Sequence, residues 1–104
     1  MAGRAHFIER LDNFTKLERR KYESGYWNLP VRTAELLIGG DIYFHKFQKE
    51  PSFFGGKILG FRVHHSDDEY DERVIFTFEF TPEHRGVRAG EGGWSYEKKI
   101  VLGE

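Results

Sequence analysis

The stretch Arg73 to Thr81 constrains this chain most, because Val74, Phe76, Phe78 and Phe80 alternate with Ile75, Thr77 and Glu79. A period of two sends successive side chains to opposite faces of a pleated backbone, so the segment predicts a strand whose even-numbered face is buried. One strand needs partners and an apolar face to cover. The 104 residues include 10 Phe, 5 Tyr and 2 Trp, so the expected core is aromatic-rich. That length suits one domain spanning residues 1–104 around one core.

Other strands follow from similar signals. Residues 4–10 form a short β-compatible run centred on Phe7 and Ile8. Ile42 to Phe47 reads as a strand with Ile42, Phe44 and Phe47 core-side, entered through the break Gly39-Gly40-Asp41. Residues 48–56 read as a loop, Lys57 to Val63 as a strand around Ile58, Leu59 and Phe61, and Trp94 to Leu102 as the last strand. Between them lie an acidic loop, Ser66 to Glu72, and the loop Pro82 to Gly93 with its four glycines.

Two helices are predicted. Asp12 or Asn13 can cap one over about residues 13–23, where Phe14 and Leu17 start a helical stripe and Gly25 supplies the stop. Lys16, Arg19, Arg20 and Lys21 occupy its wetter side, either facing phosphates or forming a solvated face with Glu18 and Glu23. A shorter helix runs from Pro30 to about Leu37, since proline suits a helix's first turn. The fold class expected is α+β: a small mixed barrel of five or six strands, with one long and one short helix at one end.

Charge and composition exclude several classes. With no cysteine there are no disulfides, thiol nucleophiles or thiolate metal sites, and a reducing cytoplasm is the expected location. No apolar run approaches the roughly 18 residues of a membrane span, so no membrane partner is expected. A net charge of -1 argues against binding nucleic acid solely by neutralising phosphates. Residues 1–50 carry 9 Lys and Arg against 7 Asp and Glu, whereas residues 51–104 carry 7 against 10.

Four segments together carry a family likeness: Phe7-Ile8, then Tyr26-Trp27-Asn28-Leu29-Pro30, then Gly40-Asp41-Ile42-Tyr43-Phe44 and Gly56-Lys57-Ile58-Leu59-Gly60-Phe61-Arg62-Val63. In this order they resemble the EVE-type and related PUA-like domains, small nucleic-acid-binding β-barrels. The resemblance implies a non-catalytic module that binds DNA or RNA by taking a flipped or unpaired base, modified in many members, into an aromatic-lined pocket. It also implies a monomer or weak homodimer, a partner protein or a nuclease fused in relatives, and no cofactor.

Trp27 is the residue that matches the family segment, and Tyr26 and Asn28 extend the candidate site as its neighbours. Aromatic planes return about 1–3 kcal/mol per stacked base, and an amide presents both a donor and an acceptor to a base edge. Against this, Trp27 can simply pack over the barrel end. His45 is a candidate pocket liner or phosphate ligand, or else a surface histidine on its strand. Phe53 and Phe54 cannot both point inward on a regular strand, so one is a candidate stacking platform or a loop anchor. Arg85, Arg88 and Lys21 are candidate phosphate contacts, or ordinary surface cations.

Other readings are weaker. Phe53, Phe54 and Trp94 would suit a protein-interaction or oligomerisation surface if all three were exposed. His64-His65 with the acidic run after it lacks the spacing of a zinc or calcium site. Glu83 with His84 resembles an acid/base pair, but Ser52 and Ser95 lack a nucleophile elbow, and Gly55-Gly56-Lys57 is too short for a phosphate loop. A small nucleoside-directed enzyme is the remaining, weakest reading.

Overall fold

A computed structural model describes residues 2–65 and 72–103, and most of the acidic segment Ser66 to Glu72 lies outside them. The strands are β1 (Arg4–Ile8), β2 (Phe14–Glu18), β3 (Lys21–Trp27), β4 (Asp41–His45), β5 (Phe54–His65), β6 (Glu72–Phe80) and β7 (Lys98–Val101). One α-helix, α1 (Val31–Leu37), and a 3-10 turn at Pro82–His84 complete the elements. The strands form one sheet in the order β2-β3-β6-β5-β4-β1-β7, with β1 parallel to β4 and every other neighbouring pair antiparallel.

The sheet curls strongly. Four strand steps separate β3 from β1, about 19 Å in a flat sheet at roughly 4.8 Å per step. Yet Trp27 of β3 stacks on Phe7 of β1 at 4.1 Å between ring centroids. Phe14, on edge strand β2, likewise meets Phe44 of β4 edge-on at 4.8 Å. The enclosed core is built from Phe7, Trp27, Leu29, Leu37, Ile42, Phe44, Ile58, Val74, Phe76 and Phe78. β2 and β7 remain the two edges, so the expected closed barrel of five or six strands is instead an open, rolled seven-stranded sheet.

The even-numbered face of β6 is buried as the alternation requires at Val74, Phe76 and Phe78, and α1 lies where Pro30 placed it. The predicted helix over 13–23 is instead the β2–β3 hairpin, reversed by Arg19 and Arg20 with Arg20 at φ 68°. Phe14 and Tyr22 turn toward the core, while Leu17, the second member of the expected helical stripe, is exposed. β4 ends at His45, so Phe47 leaves the strand and projects outward. The last strand is shorter than expected, with a turn at Ser95–Lys98 before it.

A bulge in β3 splits neighbouring residues between core and solvent. Ser24 pairs with Phe76 and Trp27 with Val74, so three steps on β3 match two on β6, and Ser24 and Trp27 both face the core. Gly25 lies against Ile75, where an added Cβ would come within 2.7 Å of Cγ1, and Tyr26 is turned to solvent.

Two glycines of β5 give a contrasting pair. A Cβ on Gly56 would fall 1.9 Å from the Glu79 carbonyl oxygen, whereas one on Gly60 meets nothing within 4 Å. Gly56→Ala is expected to move the backbone and lower the urea midpoint sharply. Gly60→Ala is expected to leave it unchanged or raise stability by about 0.4–1 kcal/mol, through a less flexible unfolded chain.

Candidate nucleic-acid interface

The β3 bulge, the turn after β4 and the turn before β7 meet at one end of the sheet and enclose an open cleft of about 870 Å³. Its aromatic walls are Tyr26, Trp27, Phe47 and Tyr96, with Ile8 between them and Asn28 at the rim. Tyr26 and Phe47 are each 53% exposed and Tyr96 92%, so three flat rings stand ready for contact. Among the described residues, Arg10, Lys49, Arg73 and Lys98 line the same cleft, with one carboxylate, Glu97. This excess of positive charge among the described lining residues sits on a chain of net charge -1. The volume lies within the ordinary range of ligand sites, about 300–1,000 Å³.

Trp27 is 8% exposed, and its ring lies on Phe7. Its indole N–H donates to Ser24 Oγ at 3.1 Å, which uses the only donor it has. Trp27 is therefore the floor of the cleft and part of the core at once, in line with the packing alternative. Tyr26 meets His64 edge-on at 4.7 Å and otherwise faces the cleft. Arg10 donates through Nε to the Lys46 carbonyl at 2.9 Å and lies 4.8 Å from the Phe47 ring, which holds both at the rim.

The other predicted site residues are dispersed. Lys21 pairs with Glu18 at 2.9 Å in the β2–β3 hairpin, away from the cleft. Phe53 and Phe54 are half-buried, Phe53 beneath Lys46 at 4.3 Å and Phe54 against Tyr22, Phe78 and Phe80. Arg85 lies over Phe80 at 4.8 Å, and Arg88 donates to the Lys49 carbonyl at 2.8 Å. Trp94 is half-buried, so Phe53, Phe54 and Trp94 do not form the exposed patch that an interaction surface requires. Arg10, Phe47, Lys49 and Tyr96 join the site without a signal in the sequence, since strand pairing alone brings their segments beside Tyr26.

His45 is fully buried on the opposite face of the sheet, not at the surface. Its Nδ1 lies 2.8 Å from the Glu50 carbonyl oxygen, which only accepts, so this nitrogen carries the proton. Burial lowers the pKa of His45 despite that bond and keeps the ring neutral. Its Nε2 therefore accepts from His6 Nδ1 at 2.9 Å, leaving His6 Nε2 a buried acceptor with no partner among the described residues. His6 stacks on Tyr43 at 4.8 Å, and Tyr43 on His84 at 4.9 Å. The glycine-rich loop covers this face, tethered by buried Lys99, whose Nζ donates to the Ala89 carbonyl at 2.6 Å.

Ser52 is occupied structurally as well. Its hydroxyl donates to the His84 carbonyl at 2.6 Å and accepts from the Val87 N–H at 3.0 Å. His84 bonds Asp41 at 2.9 Å on one side and the Thr81 hydroxyl on the other, while Lys57 reaches Asp41 at 2.7 Å. Burial by itself would raise the pKa of Asp41, but the bonds from Lys57 and His84 outweigh it and the net shift is downward. The group joins the start of β4 and Lys57 of β5 to the 3-10 turn, and Thr81 and His84 stand outside the cleft. Among the described residues no group of three or more His, Asp or Glu could hold a metal ion, and no helix is long and apolar enough to cross a membrane. In comparisons with family models, curated proteins and solved structures, none matched this chain.

Burial above all, with the neighbouring His45 and the nearby charges of Arg4 and Lys99, lowers the pKa of His6 from 6.5 to about 3. The folded value lies below the unfolded one, so the unfolded chain binds the extra proton between these limits. Stability is then complete above about pH 6.5 and declines as pH falls through that value, with a slope approaching about 1.4 kcal/mol per pH unit. Urea unfolding from pH 7.5 to 5 is expected to show this decline, and His6→Phe to reduce it to the part that buried His45 contributes. An unchanged slope in the variant would place the titration elsewhere.

Proposed function

We propose that this protein is a non-catalytic nucleic-acid-binding module that takes one unpaired or flipped base, ordinary or modified, into the cleft above Trp27. The observation that carries the reading is the convergence of Tyr26, Phe47 and Tyr96 with Arg10, Lys49 and Lys98 around one concavity. Removing a base from its stack costs a few kcal/mol, and one aromatic plane returns about 1–3 kcal/mol, so rings on more than one wall are what such a site needs. Asn28 offers a donor and an acceptor for the base edge, and the cations suit the flanking phosphates. The likeness to EVE-type domains points the same way, because the Tyr26-Trp27-Asn28 segment that carries it lines the cleft.

The test is fluorescence anisotropy with labelled single-stranded 8-mers of DNA and RNA, each carrying one ordinary, methylated or hydroxymethylated base at its centre. At least one oligonucleotide is expected to bind, and Tyr26→Ala to weaken it about fivefold or more, while Tyr26→Phe retains stacking and most affinity. Tyr26 is exposed, so thermal unfolding of both variants should match the wild type. Trp27→Ala would instead cost about 3–5 kcal/mol of stability, because it empties part of the core. Failure of every oligonucleotide to bind, or Tyr26→Ala binding like the wild type, would reject the reading.

A further inference from the structure

A second hollow, of about 620 Å³, opens beside the first and is lined by Gln48, Lys49, Arg88, Gly90, Glu91 and Trp94 among others. Gln48 and Lys49 line both hollows, so one short segment forms the ridge between them. Arg88 ties that ridge to the glycine-rich loop through its bond to the Lys49 carbonyl at 2.8 Å. Resting on the deduction that the first hollow takes a base, we propose that the two form one trough, and that the ligand is a single strand of at least two nucleotides. The second nucleotide lies against Trp94, and the phosphate joining the two passes the ridge between Lys49 and Arg88.

The chemistry of the second hollow differs from that of a spare crevice. Trp94 is held edge-to-face against buried His45 at 5.8 Å, so its ring is fixed in place before any ligand arrives. Its indole N–H is buried with no partner among the described residues, and its ring lies 6.3 Å from that of His6, so the face that the hollow offers a ligand is apolar. Gly90, Gly92 and Gly93 have φ between 78° and 84°, conformations that side chains resist, and the loop therefore presents bare backbone to whatever occupies the space. Two cations, Lys49 and Arg88, face one carboxylate, Glu91. A flat ring and two cations at a ridge suit a base followed by a phosphodiester, and a lone nucleoside would leave the cations unused.

The experiment compares a free nucleoside, a nucleoside monophosphate, a dinucleotide and an 8-mer, all containing whichever base binds best among the single-stranded 8-mers. The dinucleotide is expected to bind roughly tenfold or more tightly than the monophosphate, by the contribution of one added stacked base. Arg88→Gln should remove several-fold of that gain, leave binding of the free nucleoside, which has no phosphate at the ridge, unchanged, and reduce the salt slope of 8-mer binding by about 0.7. Glu91→Gln should tighten the dinucleotide and not the free nucleoside. Equal affinities for monophosphate and dinucleotide, or equal weakening of dinucleotide and free nucleoside by Arg88→Gln, would overturn the second subsite while base reading stands. Absence of all binding would remove base reading itself, and the trough with it.

Discussion

The stack of Trp27 on Phe7 is the contact on which the rest of the architecture depends. It joins two strands that the hydrogen-bonding order of the sheet keeps four steps apart, and only a tightly rolled sheet brings them together. Rolling lets one face of every inner strand share a single aromatic core, in which Phe44 touches Phe7, Phe14, Phe54 and Phe78. The largest fully buried side chains are Phe7, Phe44, Phe76 and Phe78, so much of the buried area depends on rings meeting across the curl. The same roll brings the end of β3 near the turns after β4 and before β7, and the cleft occupies the space between them.

The outer face of β1, β4 and β7 solves a different problem. His6, Tyr43 and His45 face the loop that runs from β6 to β7, and the register sets His6 between Tyr43 and Lys99. Buried polar side chains are costly unless they are bonded, and here a directional chain from His6 through His45 to the Glu50 carbonyl satisfies most of the group. Ser52 and Lys99 then bind loop backbone atoms. A glycine-rich segment with little side-chain material of its own is thereby held over the sheet by polar groups beneath it.

Much of the sheet is legible in the sequence because alternation reports burial directly, as at Val74, Phe76 and Phe78. The β2–β3 hairpin is not. It turns on Arg19 and Arg20, with no glycine, asparagine or proline to mark the reversal, and the spacing of Phe14 from Leu17 mimics a helical step although Leu17 is exposed. Gly25 resembles a helix stop because a glycine in a bulge and a glycine after a helix leave the same trace in a sequence. At the cleft, Tyr26, Trp27 and Asn28 are visible as a contiguous segment. Arg10, Phe47 and Tyr96 carry no local signal, because their proximity comes from pairing of β1 with β4 and β7. His45 reads as a surface residue for a related reason: the cover that buries it comes from a loop about forty positions further along the chain.

The extra residue that the β3 bulge inserts between Ser24 and Trp27 gives adjacent positions separate roles, with Trp27 held by the core and Tyr26 left to solvent. Substitution at Trp27 is therefore constrained by folding, whereas Tyr26, Phe47 and Tyr96 stand on a bulge and two turns, where a change of side chain alters the cleft and leaves the sheet as it is. The rolled sheet thus acts as a fixed mount for an interchangeable rim, whose side chains can change the shape of the cleft without first making the fold less stable.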